Sequence, residues 1–130
     1  MGENADTVKR GYEAWRNGDR DAMAEFTADD FTVEGTQAEG LPVSGNHEGR
    51  DAALEVLQNL AGAWDSFSFN PDEFFEQGDT VVVLAHSDVE KDDRSATIPV
   101  VHIWRVEEGK AKRLQVLPDT LLAARTLGVV

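Results

Sequence analysis

The residues with the clearest capacity for proton chemistry lie near the end of the chain. His102 falls within a strand-like apolar run at residues 98–106, and Asp119 follows the next such run. An imidazole with a pKa near neutrality can exchange a proton with a bound carbonyl compound, and a carboxylate in apolar surroundings can act as a base or orient the imidazole. We therefore predict His102 and Asp119 as a catalytic pair. The competing interpretations are a histidine satisfied within the core and an aspartate that caps the last helix.

A hairpin must position these two side chains. Even-numbered positions of residues 98–106 are apolar except for His102, so their alternation turns His102 towards the core. A gap-free alignment with known proteins turns Val101 inward instead, and His102 outward. Residues 107–109 supply a tight turn, in which Gly109 offers the positive φ that such turns need, and residues 110–117 return as the second strand.

Length, composition and charge restrict the class of protein. The 130 residues suit one domain, spanning 1–130, and the absence of cysteine excludes disulfides and thiolate chemistry. No apolar run approaches the ~20 residues of a membrane span, and the N-terminus lacks a secretory signal, so we expect a cytoplasmic protein. A net charge of −13 opposes binding to nucleic acids and to anionic membranes.

The apolar spacing predicts helices first and strands afterwards. The first predicted helix runs from an N-cap at Asn4 or Asp6 to Asn17, and a second, shorter helix follows a cap at Asp19. Two more helices are predicted over 50–64 and 121–127. Strands are predicted around residues 31–33, over 67–76 and 80–89, and in the closing hairpin, while 35–49 is predicted as a loop. This order indicates an α+β fold in which helices pack on one face of a curved antiparallel sheet.

Four segments together resemble a known family. They are YEAWRNGDRDAMAEFTADDFTVEG, GNHEGRDAA, EFFEQGDTVVVLAH and HIWRVEEGKAKRLQVLPDT. In this order they resemble the SnoaL-like branch of the nuclear transport factor 2-like superfamily, which includes ketosteroid isomerases. The resemblance implies a cone-shaped barrel, with a strongly curved antiparallel sheet wrapped around three N-terminal helices and a short C-terminal helix. It also implies a deep apolar pocket and, often, a homodimer.

The resemblance can be tested position by position against two chemistries of the superfamily. Gly11, Gly35 and Val101 stand where the isomerases have a tyrosine, an aspartate base and a second, protonated aspartate. Tyr12 is adjacent to the first position, but one residue turns a helical side chain by about 100°. The steroid isomerase mechanism is therefore disfavoured. SnoaL-type polyketide cyclases match at His102, whereas their acid/base aspartate is replaced by Val116.

Further residues are candidates for a ligand-binding cavity. We predict a pocket for a flat or cyclic ligand that is lined by Trp15, Phe26, Trp64, His86, Trp104 and Val116. Any one of the aromatic residues could equally fill the core. Two placements remain open for His86, the pocket and the outer, dimer-forming side of the sheet. His47 lies in a glycine-rich loop, where it could either take part in the site or be an exposed loop residue without a role. No HxH or HExxH spacing is present, so no metal ligands are predicted.

These observations favour a small-molecule pocket protein without a cofactor. We expect acid/base chemistry of the isomerase, cyclase or lyase type on a small hydrophobic or cyclic carbonyl metabolite, in a homodimer. The alternative is a non-catalytic module of the same fold that binds a small ligand or serves dimerisation.

Overall fold

A computed structural model describes residues 2–130, and these form four helices and one six-stranded sheet. The elements in chain order are α1 (Glu3–Arg16), α2 (Arg20–Phe26), β1 (Thr27–Glu34), β2 (Asn46–Glu48), α3 (Arg50–Gly62), β3 (Ser66–Gln77), β4 (Thr80–Lys91), β5 (Arg94–Glu107), β6 (Lys110–Pro118) and α4 (Thr120–Leu127). The predicted α+β fold is thus confirmed. Within residues 2–130, no helix has both the length and the apolar character that crossing a membrane requires.

The sheet has the strand order β2-β1-β6-β5-β4-β3, so the closing hairpin of β5 and β6 lies at its centre. Strands β3 to β6 are joined by hairpins and pair antiparallel, whereas β1 pairs with β6 in parallel. The sheet is therefore not entirely antiparallel, because β1 and β6 are far apart in sequence and need no hairpin between them. The register shifts where β1 pairs with β6, where β3 pairs with β4 and where β5 pairs with β6, and in the last pair the extra residue is Lys112 of β6. Such irregularities bend a strand locally.

The inner face of the sheet and the three N-terminal helices enclose the main core. Burial alternates along β5, and its inward residues are Ile98, Val100, His102, Trp104 and Val106. The apolar alternation in the sequence therefore placed His102 correctly, and the alignment that turns Val101 inward is wrong. A second, smaller cluster joins Trp64 to the inner side of α4.

Local signals located most helix ends, with exceptions that have tertiary causes. Asp19 caps α2 as predicted, since its carboxylate accepts the Ala22 N–H at 3.0 Å. Helix α1 instead begins at Glu3, because the Ala5 N–H in its first turn donates to the Glu76 carboxylate of β3 at 2.7 Å. Glu76, which is distant in the sequence, thus caps the start of α1 in place of Asn4 or Asp6.

Two further boundaries differ from the sequence-based expectation. The predicted loop at 35–49 contains the short strand β2, which pairs with β1 at the edge of the sheet. Helix α3 ends at Gly62 rather than at Trp64, whose side chain packs into the second cluster. Both differences arise from pairing or packing with elements that are distant in the sequence.

Candidate functional site

His102 is a buried polar residue at the centre of the inner sheet face. The residue is 7% exposed, and it lies opposite Val116 in the register of β5 and β6. The Nδ1 atom is 2.8 Å from the Tyr12 hydroxyl oxygen of α1. The same hydroxyl accepts the indole N–H of Trp104 at 2.8 Å. Three side chains from α1 and β5 thus form one buried hydrogen-bonded chain.

The direction of this chain fixes the tautomer of the histidine. An indole nitrogen only donates, so the Tyr12 oxygen is the acceptor from Trp104. Among the described residues, the acceptor within hydrogen-bond distance of the Tyr12 proton is His102 Nδ1. The Tyr12 oxygen could accept a second bond from a protonated Nδ1, but its own buried proton would then lack an acceptor. Nδ1 therefore carries no proton, and in the neutral imidazole the proton is on Nε2. His102 consequently presents an N–H donor on the side of its ring away from Tyr12.

Burial keeps both His102 and Tyr12 neutral. Desolvation lowers the pKa of the His102 imidazole to about 3. Desolvation also raises the pKa of the Tyr12 phenol far above its usual value, and the hydrogen bond from Trp104 opposes this only weakly. The expectation of a histidine pKa near neutrality is therefore wrong, because no charge lies close enough to offset the loss of solvent. At neutral pH His102 is therefore a neutral imidazole, and its remaining N–H is a hydrogen-bond donor.

Tyr12 is the residue of this candidate site that the sequence comparison missed. Its alignment position was assigned to Gly11, but it is Tyr12 that points into the core. A Cβ atom on Gly11 would collide with the Phe26 ring, so a side chain at that position has no room. The spacing of Val8 and Tyr12 along α1 already indicated that Tyr12 lies on the buried face.

Aromatic contacts hold the histidine ring in place. Phe69 stacks on it with ring centroids 4.7 Å apart and an interplanar angle of 9°. Tyr12 meets Trp104 edge-on at 5.7 Å, and Phe26 packs against Trp104 at 5.3 Å. These contacts come from four different elements, so the orientation of the Nε2–H donor is set by the assembled core.

Two small cavities border the His102 ring. The larger cavity, of about 60 Å³, extends towards α4 and the loop after β1, and the smaller cavity, of about 30 Å³, lies between α1, α3 and the sheet. Ligand pockets usually measure about 300–1,000 Å³, so the barrel is nearly filled by side chains. Among the described residues no Asp, Glu, Lys or Arg side chain lines either cavity. Their polar side-chain groups are those of His102, Tyr12 and Ser87 and the indole N–H groups of Trp15, Trp64 and Trp104.

Most of the predicted ligand-binding residues lie at these cavities. Those that line them are Trp15, Trp64, Trp104 and Val116. Phe26 supports the wall from behind, where it packs against Trp104 and Gly11. Four of the six predicted residues are therefore gathered around His102.

Asp119 is placed differently from its predicted catalytic role. Its side chain is exposed and accepts the Leu122 N–H at 3.1 Å, which makes it the N-cap of α4. Within the described residues, no hydrogen bond joins it to His102. The geometry therefore matches the competing interpretation of Asp119 as a helix cap.

The other two histidines lie outside the cavities. His86 is on the outer sheet face, with Nδ1 2.8 Å from Asp72 and Nε2 3.8 Å from Asp88, and the bond to Asp72 raises its pKa. His86 is thus not a pocket residue, because the pleat of β4 turns it outward. His47 bonds the Ser44 carbonyl at 2.8 Å within its loop. Residues 2–130 contain no group of three or more potential ligands arranged to hold a metal ion.

Comparison with known proteins identifies the family. A profile described as the SnoaL-like domain matches residues 8–114. The chain belongs to the SnoaL-like domain family. No protein with a curated description matches the sequence significantly.

Solved structures share this SnoaL-like fold over nearly the whole chain. An NTF2-like protein of unknown function from Burkholderia pseudomallei is 29% identical, with 98% of each chain covered and a TM-score of 0.86. TerC, crystallised with polyporic acid, is 25% identical over 98% of this chain and 99% of its own, also with a TM-score of 0.86. IdmH of Streptomyces antibioticus, a candidate polyketide cyclase, is 18% identical over 98% of this chain and 99% of its own (TM-score 0.80), which shows the fold alone. The family and the cone-shaped fold expected from the sequence are confirmed.

Proposed function

We propose that this SnoaL-like protein binds a small, flat, apolar molecule that carries a carbonyl oxygen, and that His102 Nε2–H donates a hydrogen bond to that oxygen. One observation carries the proposal: the chain from Trp104 through Tyr12 to His102, which aims a neutral N–H donor from an apolar interior. Apolar walls with a few fixed polar groups are typical of small-molecule sites. The relative TerC, crystallised with polyporic acid, supports a ligand of this kind.

The small size of the two cavities determines how such a ligand must be accommodated. Both are far smaller than the ~300–1,000 Å³ of an ordinary ligand pocket, so side chains or backbone at their walls move outward when the ligand binds. Residues 41–43 of the loop after β1 form part of the larger wall. Loops move more readily than the strands that they cover, and this loop is the element that we expect to be displaced.

Cyclase-type catalysis is a second candidate, favoured by the same donor. A neutral imidazole N–H stabilises negative charge that develops on a carbonyl oxygen, so an enolate would be stabilised at this position. The described cavity walls lack a carboxylate that could remove the proton. Binding with polarisation of the carbonyl is therefore better supported than complete acid/base catalysis by His102 and Asp119.

The decisive experiment measures binding of polyporic acid by isothermal titration calorimetry. His102→Phe keeps a planar apolar ring but removes the donor, and we expect it to raise the Kd by about tenfold, the equivalent of one buried hydrogen bond of ~1.4 kcal/mol. His86→Gln on the outer face is the matched control and should leave the Kd unchanged. Absence of binding to the wild type, or equal Kd values for wild type and His102→Phe, would contradict the proposal.

We also propose a homodimer formed through the outer face of the sheet. Its exposed apolar residues include Phe75, Leu84 and Leu117, which are 53%, 38% and 47% exposed. In the strand register Phe75 lies beside Val82 and Ile103, and Leu84 lies beside Val101 and Leu117, so the side chains form one contiguous patch. Such patches mark interaction surfaces, and a two-fold axis would place the same patch on both copies. Sedimentation velocity should show a dimer for the wild type and a monomer for Leu84→Lys.

A further inference from the structure

A large groove opens to the surface next to the His102 cavities. It has a volume of about 530 Å³ and lies between the end of α1, the start of α2, α3 and the first half of β3. Its apolar lining includes the buried or half-buried side chains of Trp15, Met23, Phe67 and Phe69. Two exposed arginines, Arg16 and Arg20, also line it. We call this feature the outer groove. Its size falls within the range of small-molecule sites.

A single layer of side chains separates the outer groove from the interior. Trp15, Met23 and Phe69 line both the groove and the smaller cavity, while Phe67 lines both the groove and the larger cavity. Trp15 packs edge-on against Phe67 at 5.8 Å and against Phe69 at 6.2 Å. Phe69 in turn stacks directly on the His102 ring. Displacement of Trp15 would therefore open the groove into the smaller cavity, which His102 also lines.

The charge of the outer groove is opposite to that of the protein. Arg16 and Arg20 form no ion pair with any described residue, in a chain with a net charge of −13. Asp19 also lines the groove, but its carboxylate accepts the Ala22 N–H as the cap of α2. Four of the six other arginines lie within 4.0 Å of a carboxylate, namely Arg50, Arg94, Arg105 and Arg113. The remaining two, Arg10 and Arg125, lie outside the groove. The two groove arginines thus remain available to an anion.

We infer that the outer groove is the entrance to the His102 cavities and that Arg16 and Arg20 select flat apolar molecules that carry a negative charge. The inference rests on the proposed function and adds the ligand's charge and its route. A free guanidinium binds carboxylate, sulfonate or enolate oxygens through several parallel N–H donors. The aromatic lining accepts the apolar body of the ligand, and Trp15 moves aside as that body passes towards His102.

The charge selection is tested with two fluorescent probes that share their rings. 8-Anilinonaphthalene-1-sulfonate is anionic, and N-phenyl-1-naphthylamine is the same ring system without the sulfonate. For the double variant Arg16→Gln/Arg20→Gln we expect the Kd of the anionic dye to rise about fivefold, as for the loss of two exposed ion pairs of ~0.5 kcal/mol each. The Kd of the neutral dye should stay the same. Arg125→Gln, which removes an exposed arginine of α4, is the control for net charge.

The route is tested with Trp15→Ala in stopped-flow fluorescence. If Trp15 is the barrier, its truncation speeds association of both dyes, whereas Leu121→Ala on the exposed side of α4 leaves the rates unchanged. The inference would be overturned if the double variant left the Kd of the anionic dye unchanged or weakened the binding of both dyes equally. It would also be overturned if Trp15→Ala left the association rate unchanged. Thermal unfolding of every variant identifies any loss of folding. Failure of the proposed function would be seen separately, in His102→Phe with polyporic acid.

Discussion

Tyr12→Phe is the most informative single substitution, because it removes one oxygen and leaves the packing intact. The hydroxyl accepts from Trp104 and donates to His102, with both distances 2.8 Å. Without it, the indole N–H and the Nδ1 lone pair both remain buried without partners. Each such group costs about 1–3 kcal/mol, and part of this cost is offset because the hydroxyl itself no longer has to be desolvated. We expect the free energy of unfolding to fall by about 2–3 kcal/mol.

Urea unfolding followed by tryptophan fluorescence measures this loss, and thermal unfolding should show a midpoint lower by roughly 6–15 °C. Thr27→Val is the matched control, since it also deletes a buried hydroxyl but leaves the Met23 carbonyl bonded to the Thr27 amide. That variant should lose only about 1 kcal/mol. The larger loss in Tyr12→Phe would reflect the two groups left unpaired.

Nitrogen-15 NMR of the histidine rings tests the tautomer directly. The wild type should show a protonated Nε2 and an unprotonated Nδ1 at His102, and Tyr12→Phe should relax this preference because the donor to Nδ1 is gone. A change in unfolding free energy below about 0.5 kcal/mol, or a wild-type His102 protonated at Nδ1, would refute the hydrogen-bonded chain.

Three other predictions follow from the same contacts. Burial holds the folded-state pKa of His102 at about 3, below the unfolded value of ~6.5, so the unfolded chain takes up a proton first as the pH falls. As the pH falls between these two values, the free energy of unfolding of the wild type should decrease, relative to that of His102→Phe, by up to about 1.4 kcal/mol per pH unit. Urea unfolding at several pH values measures this difference. Gly11→Ala should lower the free energy of unfolding by about 1–3 kcal/mol, because its Cβ would collide with the Phe26 ring. Gly62→Ala, at the open end of α3, should not destabilise the protein, and thermal unfolding of both variants checks this. Asp119→Ala should cost about 0.5–2 kcal/mol through the lost cap of α4 and leave the Kd for polyporic acid unchanged, and a large change in that Kd would restore Asp119 to the site.

Most of the fold was predictable because its signals are local. Alternation along β5, the turn at Gly109 and the Asp19 cap each involve residues close in the sequence. The boundaries that differed all depend on distant partners: Glu76 bonds the first turn of α1, and β2 forms only by pairing with β1. No pattern within a short segment encodes such contacts.

The candidate site was predicted less completely. The alternation that turns His102 inward was local, and so was the form of the Asp119 cap. The bond between Tyr12 and His102 joins residues 90 positions apart, so neither could indicate the other in the sequence. Helix α1 had to dock on the sheet before the two side chains met.

The sequence by itself determined the family, the order of helices and strands, and the inward direction of His102, since each depends on periodicity or on motifs that are contiguous in the chain. Only the tertiary structure decided what His102 is: a neutral donor, with its tautomer set by Tyr12 and Trp104 and its pKa lowered by burial. Protonation depends on the solvent and the partners that surround a group. Those surroundings exist only after α1, β3 and β5 have packed together.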